Sequence, residues 1–236
     1  MLADNLVIGG MVAFSAVDYP QHLATTLFLQ GCPWRCHYCH NPHLIPQHSD
    51  QQSITWQKVR RHLEGRRGLL DAVVFSGGEP TTQKALLPAL QQTREMGFKN
   101  ALHTGAPSLS LLKPLLPWLD WVGLDIKAMP ADYEAVTTRR RSGSESWAAI
   151  TELQQAGVDF ECRMTWHRAL HSWEQVVSIG ELLSLKGVSQ FAIQVARGEQ
   201  MLNPAIGDSR VCANDKRLVR EALESSFDVF EMRSSV

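Results

Sequence analysis

The sequence contains no apolar run approaching the roughly 20 residues that a membrane-spanning helix needs. It carries no excess of charge of either sign: 23 Lys and Arg stand against 24 Asp and Glu, for a net charge of −1. A dedicated nucleic-acid binder is normally far more basic, so no nucleic-acid partner and no membrane are expected. The opening MLADNLVIGGMVAF has no basic start, and no small-residue cleavage site follows, so a cytoplasmic location is expected. There is no even-numbered cysteine framework: the chain has 5 cysteines, three of them within eight residues. In a reducing compartment such a group more often binds metal than forms disulfides. Repeats, low-complexity runs and Gly/Ser linkers are missing too, so residues 1–236 are expected to form a single domain. An apolar fraction of 44% and a charged fraction of 20% are those of an ordinary globular chain.

What is present is an alternation of short apolar runs with helix-length segments. The runs Leu23–Gln30, Ala72–Ser76, Asn100–Thr104, Trp121–Lys127, Val158–Trp166 and Gln190–Ala196 read as strands. They are continuous rather than alternating, as strands covered on both faces should be. Between them, Thr55–Arg67, Thr82–Met96, Ser108–Trp118, Ser144–Ala156 and Ser172–Leu185 read as helices, with Gly97 and Gly157 as end signals. Pro88 should kink its helix or shift its start. The alternation predicts an α/β fold of parallel strands with right-handed crossovers. In such sheets ligands bind at the carboxyl ends of the strands. GCPWRC, SGGEP, HTG and DIK fall at four successive ends, which places a single site there.

Gly31–Pro42 reads GCPWRCHYCHNP, with Cys32, Cys36 and Cys39 spaced Cys-x3-Cys-x2-Cys on one loop. Three thiolates suit an iron–sulfur cubane, because a four-iron cluster so held keeps one iron free for another ligand. The alternative is a structural zinc loop, with a fourth ligand from His37, His40 or His43. In SGGEPT, Gly77 and Gly78 would let main chain approach a ligand closely, although a strand-to-helix turn has the same composition. Cys162 reads as a buried small hydrophobe, and with Cys212 leaves too few thiols for a second cubane. Tyr133 and the 7 tryptophans read as packing residues, and Thr138–Arg141 as a solvated loop, with contact to a partner or nucleotide as the alternative.

The cysteine spacing with Tyr38 before the last cysteine, followed by Gly77-Gly78-Glu79-Pro80 after the second strand, resembles the radical S-adenosylmethionine superfamily. The resemblance implies a partial (β/α)6 barrel, a [4Fe–4S] cluster on Cys32, Cys36 and Cys39, and S-adenosyl-L-methionine on the fourth iron. One-electron cleavage of that molecule then yields methionine and a 5′-deoxyadenosyl radical, so no side chain is assigned a catalytic acid–base role. It further implies that Tyr38 and His40 lie by the adenine and that Gly77, Gly78 and Glu79 hold the methionyl end. Thr104 would end the third strand beside the cofactor, and Asp125, Lys127 and Arg163 would meet its polar groups. A buried ion-pair network is the alternative for those last three. His103-Thr104-Gly105-Ala106 departs from the Asp-Thr-Asn-Gly common among relatives.

Within the superfamily the chain is most similar to activating enzymes of anaerobic ribonucleoside-triphosphate reductase. Val17-Asp18-Tyr19-Pro20, YCHNP, LDIKA and Glu161-x-Arg163 carry that resemblance, whereas Gln21 replaces an expected Gly and Met164–Trp166 a Thr-Thr-Val. The implied partners are a glycyl-radical enzyme, the large subunit of the anaerobic ribonucleotide reductase, and an electron donor such as flavodoxin or ferredoxin. Pyruvate formate-lyase-type activation, a small-molecule radical reaction and a non-enzymatic iron–sulfur or zinc module are the other readings. A six-unit core that uses nearly all the chain leaves no lid over the barrel, which suits a macromolecular substrate.

Overall fold

All six expected strands form, and they lie side by side in one sheet in chain order. The computed structural model describes residues 2–48, 54–140, 142–197 and 201–233. The parallel strands are β2 (Ala24–Leu29), β3 (Ala72–Gly77), β4 (Lys99–Thr104), β5 (Trp121–Asp125), β6 (Asp159–Trp166) and β7 (Gln190–Val195). Two edge strands were not legible. β1 (Ile8–Ser15) pairs antiparallel with β2, and β8 (Val229–Arg233) pairs parallel with β7. β1 carries two glycines and two register irregularities, and β8 is half-exposed with alternating apolar and polar residues, so neither reads as a doubly covered strand. Among the described residues no pairing joins β1 to β8, so the eight-stranded sheet is open there.

Helices α1 (Trp56–Glu64), α2 (Leu86–Glu95), α3 (Leu109–Leu112), α4 (Tyr133–Thr137), α5 (Gly143–Ala156), α6 (Trp173–Leu185) and α7 (Ala213–Leu223) accompany the strands. α2 starts late, so Pro88 falls in its first turn, where a missing N–H costs no hydrogen bond. The 108–118 segment is not one helix: Pro114 and Pro117 confine α3 to four residues and leave a 3-10 stretch, Lys113–Trp118. α6 begins with a capping box in which Ser172 and Gln175 satisfy each other's backbone N–H groups. α5 ends on Gly157 at φ 66°. Among the described residues no helix is long and apolar enough to cross a membrane.

The sheet has two cores. The larger lies between strands and helices and holds Cys162, which is fully buried as expected. A small one fills the inner face at the amino ends of the strands: Ala24, Ala72, Val74, Ala101 and Trp121, with Tyr19 from the β1–β2 turn. The alanines leave room for two large rings, and Tyr19 stacks on Trp121 at 5.3 Å and on His22 at 4.1 Å. Asp18 accepts from the Thr26 hydroxyl at 2.6 Å, and its carbonyl lies 2.7 Å from His103 Nε2. The Val17–Pro20 motif is therefore the floor of the barrel, at the end remote from the cysteines.

That turn stores strain. Gln21 sits at φ 62°, the left-handed conformation for which glycine is the natural occupant. Gln21→Gly should raise the stability of the apo protein by about 0.5–1 kcal/mol. A thermal melt unchanged or lowered by this substitution would show that the turn holds no strain.

Candidate active site

The cysteine loop leaves β2 and is held along its length by main-chain bonds to other segments. Gly31 N–H donates to Leu44 O at 2.7 Å and Cys32 N–H to Ile45 O at 3.0 Å. Arg35 and His37 N–H donate to the α4 carbonyls of Thr137 (3.0 Å) and Val136 (3.1 Å). On the other side, Leu202 and Asn203 N–H donate to Cys39 O (2.9 Å) and His37 O (3.0 Å), and Asn203 Nδ2 lies 3.0 Å from His37 Nδ1. The chain beyond β7 thus crosses the loop, a contact that the sequence does not suggest. Irregular segments joined by backbone bonds leave no periodic trace in a sequence.

Cys36 is buried, while Cys32 and Cys39 are partly open. Burial pushes the Cys32 thiol up to about 12 and the Cys36 thiol up to about 11. Neither becomes an anion at neutral pH by itself; a nearby metal charge would be needed. Among the described residues no three His, Cys, Asp or Glu side chains converge on one point. A structural zinc needs four ligands about 2.0–2.3 Å from one ion, whereas a cubane takes each thiolate on a different iron. Tyr38 points into the core, and its buried hydroxyl has no partner among the described residues. His40 is half-exposed, with Nε2 at 3.1 Å from Arg197 O.

The glycines at the end of β3, Gly77 within it and Gly78 just after, face the protein. Gly77 has φ 119°, and a Cβ there would lie 2.2 Å from Leu29 N. A Cβ on Gly78 would meet Gly31 O at 2.4 Å and Leu44 O at 2.9 Å. Both glycines let the turn press against β2 and the root of the cysteine loop, so the expected open approach to a ligand is not what they provide at Cβ. Gly78→Val should therefore displace the loop itself, and iron uptake on reconstitution should fall with it. Full iron content with only the cofactor affinity reduced would contradict this placement.

Glu79 is 2% exposed, and its carboxylate is fully engaged within the protein. Oε1 accepts from Thr81 N (3.2 Å), Thr81 Oγ1 (2.6 Å) and Thr104 Oγ1 (2.6 Å), and Oε2 from Gly105 N (2.9 Å). Burial pushes this carboxyl up, and the four donors pull against that. Thr104 also accepts from Ala106 N at 2.8 Å. Glu79 and Thr104 therefore tie the end of β3 to the end of β4.

Asp125, Lys127 and Arg163 come together. Arg163 Nε and Nη2 reach Asp125 Oδ1 at 3.0 and 2.9 Å, and Lys127 Nζ lies 3.6 Å from Oδ2. The guanidinium lies over Gly123, where a Cβ would come within 2.6 Å of Cζ. Burial pushes the Asp125 carboxyl up, but the two cations outweigh it and hold it below the ordinary range. His103 adds no charge: burial and Arg163 bring it down to about 3. Two cations against one carboxylate leave the group with a surplus positive charge.

The sequence missed Trp34 as part of this wall. It is buried, as expected of a packing residue, but against Gly105, where a Cβ would meet its ring at 2.2 Å, and Lys127 Nζ lies 5.5 Å from its centroid. An aromatic between the first two cysteines was the available signal. Tyr133 is also buried, its hydroxyl accepting from Lys127 N at 3.1 Å. Arg141, the last residue of the basic run, lies outside the described residues.

A sequence profile described as "Radical SAM superfamily" matches residues 26–188, from β2 to just before β7. The chain belongs to the radical S-adenosylmethionine superfamily. It is 28% identical over 195 residues to a Methanocaldococcus jannaschii protein named as a glycyl-radical enzyme activating enzyme, covering 80% of this chain and 79% of that one. It is 29% identical to the pyruvate formate-lyase-activating enzyme of Clostridium pasteurianum, covering 61% and 63%. Its fold is similar to that of Streptococcus suis SuiB bound to S-adenosylmethionine, with a TM-score of 0.62 at 14% identity. That match covers 87% of this chain and 48% of SuiB, so the chain spans about half of that structure. The fold is the superfamily's partial barrel, and the superfamily's cofactors are a [4Fe–4S] cluster and S-adenosylmethionine. The residues present fit them: three sulfur donors and an unpartnered buried hydroxyl on one loop, and a positively charged group whose Lys127 lies against Trp34 of that loop.

Proposed function

We propose that this chain is an activating enzyme that installs a glycyl radical on a separate enzyme, the anaerobic ribonucleoside-triphosphate reductase. The observation that carries the activating role is the similarity, over four-fifths of the chain, to a protein named for that role. The Val17–Pro20, YCHNP and LDIKA motifs favour the reductase as partner. Similarity to pyruvate formate-lyase-activating enzymes supports that lyase as the second reading. The proposal takes residues 1–236 as one cytoplasmic domain, consistent with a single continuous sheet.

In this reading Cys32, Cys36 and Cys39 hold the cluster, and the main chain of Gly77 and Gly78 lies beside the methionyl end. Glu79 and Thr104 position that turn instead of touching the ligand. Arg163 and Lys127, already fixed by Asp125, receive the methionyl carboxylate, which their surplus charge complements. Tyr38 and His40 border the adenine. When bound, the cluster and S-adenosylmethionine supply one-electron cleavage to a 5′-deoxyadenosyl radical that removes a hydrogen atom. The gap between β1 and β8 leaves the barrel open to a flexible loop of the partner, which must leave its own fold to enter.

The test is anaerobic incubation with the reductase labelled with deuterium at glycine Cα, S-adenosylmethionine and a reductant. Deuterium should appear in 5′-deoxyadenosine while the reductase gains a carbon-centred electron paramagnetic resonance signal. A signal on pyruvate formate-lyase alone would move the assignment to the second reading. Label transfer only from a small molecule would end both.

A further inference from the structure

The outer side of the cysteine loop carries a feature that neither the fold nor the cofactors require. Arg35, Arg139 and Arg140 are all exposed and stand around it. Arg35 Nη1 donates to Cys32 O at 2.9 Å and to Trp34 O at 3.0 Å, and its N–H is tied to Thr137. Arg139 Nη1 donates to Pro33 O at 3.4 Å. Arg139 and Arg140 line one groove with Pro33 and Trp34. The only acid paired to these arginines among the described residues is Glu134, 3.8 Å from Arg140. Three guanidinium groups against one carboxylate leave two extra positive charges on a chain whose total is −1.

These arginines are exposed, whereas Arg163 and Lys127 are largely buried and paired with Asp125. Trp34 belongs to both surroundings: it lines the groove with Arg139 and Arg140, and Gly105 and Lys127 lie against its ring. The buried Lys127–Asp125–Arg163 group is left to the cofactor, and the exposed arginines remain accessible to another molecule. A cluster that gives up one electron per turnover must regain one. Cys162 is buried in β6 and Cys212 caps α7, so the described residues show no second redox centre within the chain. The electron has to come from another molecule, by a short route through the loop.

We propose that Arg35, Arg139 and Arg140 form the docking rim for an acidic, one-electron carrier protein, of the flavin or iron–sulfur class, that reduces the cluster. This rests on the proposed function. In the transfer the carrier loses one electron and the cluster gains one; no bond breaks and no proton need move. Such encounters use small interfaces and depend on long-range charge, which a compact arginine rim provides.

The experiment is stopped-flow bleaching of the reconstituted wild-type protein by reduced flavodoxin, and separately by reduced ferredoxin. It is compared with the Arg139→Glu/Arg140→Glu variant at low and high salt. The rim should speed association, so the variant should be reduced at least about tenfold more slowly at low salt. The two proteins should converge at high salt, where charges are screened. Reduction by dithionite, which needs no dock, should be equal in both. Calorimetric titration with oxidised flavodoxin should show the same loss of affinity. Arg140→Glu alone, whose ion pair among the described residues is with Glu134 and which makes no bond to the loop there, should show part of the defect and guards against disturbance of the loop. Wild-type rates with both carriers would overturn the proposal, as would a defect equally present with dithionite in both variants. Normal reduction with failed radical transfer would assign the rim to the glycyl-radical partner instead. A protein that is colourless before any carrier is added would overturn the proposed function itself, and is distinguishable at that step.

Discussion

Alanine in place of Cys36 should yield a protein that emerges from anaerobic reconstitution nearly colourless, with iron falling from about four per chain to below one. The sulfur sits at the buried centre of the loop, and its neighbours supply no replacement: no three potential ligands converge among the described residues. His37 is the nearest substitute in sequence, but its Nδ1 is 3.0 Å from Asn203 Nδ2. The apo fold should survive, because the loop is held by main-chain bonds from Leu44, Ile45, α4 and residues 202–203 and not by the thiol. The measurement is iron content and visible absorbance, with circular dichroism as the control for folding. Retention of four irons would remove Cys36 from the ligand set.

Glu79→Ala should act in the opposite way, through the fold. Removing the carboxylate strands the N–H groups of Thr81 and Gly105 and the hydroxyls of Thr81 and Thr104 in a place that water does not reach. Each buried donor left without a partner costs about 1–3 kcal/mol, so a total of at least about 3 kcal/mol is expected, with a fall in Tm of at least roughly 6 °C. Glu79→Gln keeps one acceptor but turns an NH2 toward donors, and should lie between. The decisive comparison is the apo protein without S-adenosylmethionine. If Glu79 served only to bind that molecule, apo stability would not change and ligand affinity alone would drop.

The local chemistry of this protein is written in short stretches of its sequence. Cys32, Cys36 and Cys39 are seven residues apart at most, so their spacing alone places three thiols on one loop. The continuous apolar runs of β2 to β7 demand cover on both faces, which fixes a parallel sheet and sends the motifs to one end of it. What the sequence could not settle depends on which segments meet. The carboxylate of Glu79 finds its partners only when β4 brings Thr104 and Gly105, 25 and 26 positions away, against it. Gly78 looks like space for a cofactor until Gly31 fills that space. Val17–Pro20 becomes the barrel floor only because three small residues on neighbouring strands leave a hole for Tyr19 and Trp121. Arg35 gains its neighbours Arg139 and Arg140 only through α4. Periodicity and ligand spacing act over a few residues, where the chain's own geometry decides. Close approach, buried donors and surface charge are set by residues a hundred positions apart, and only the folded chain brings those together.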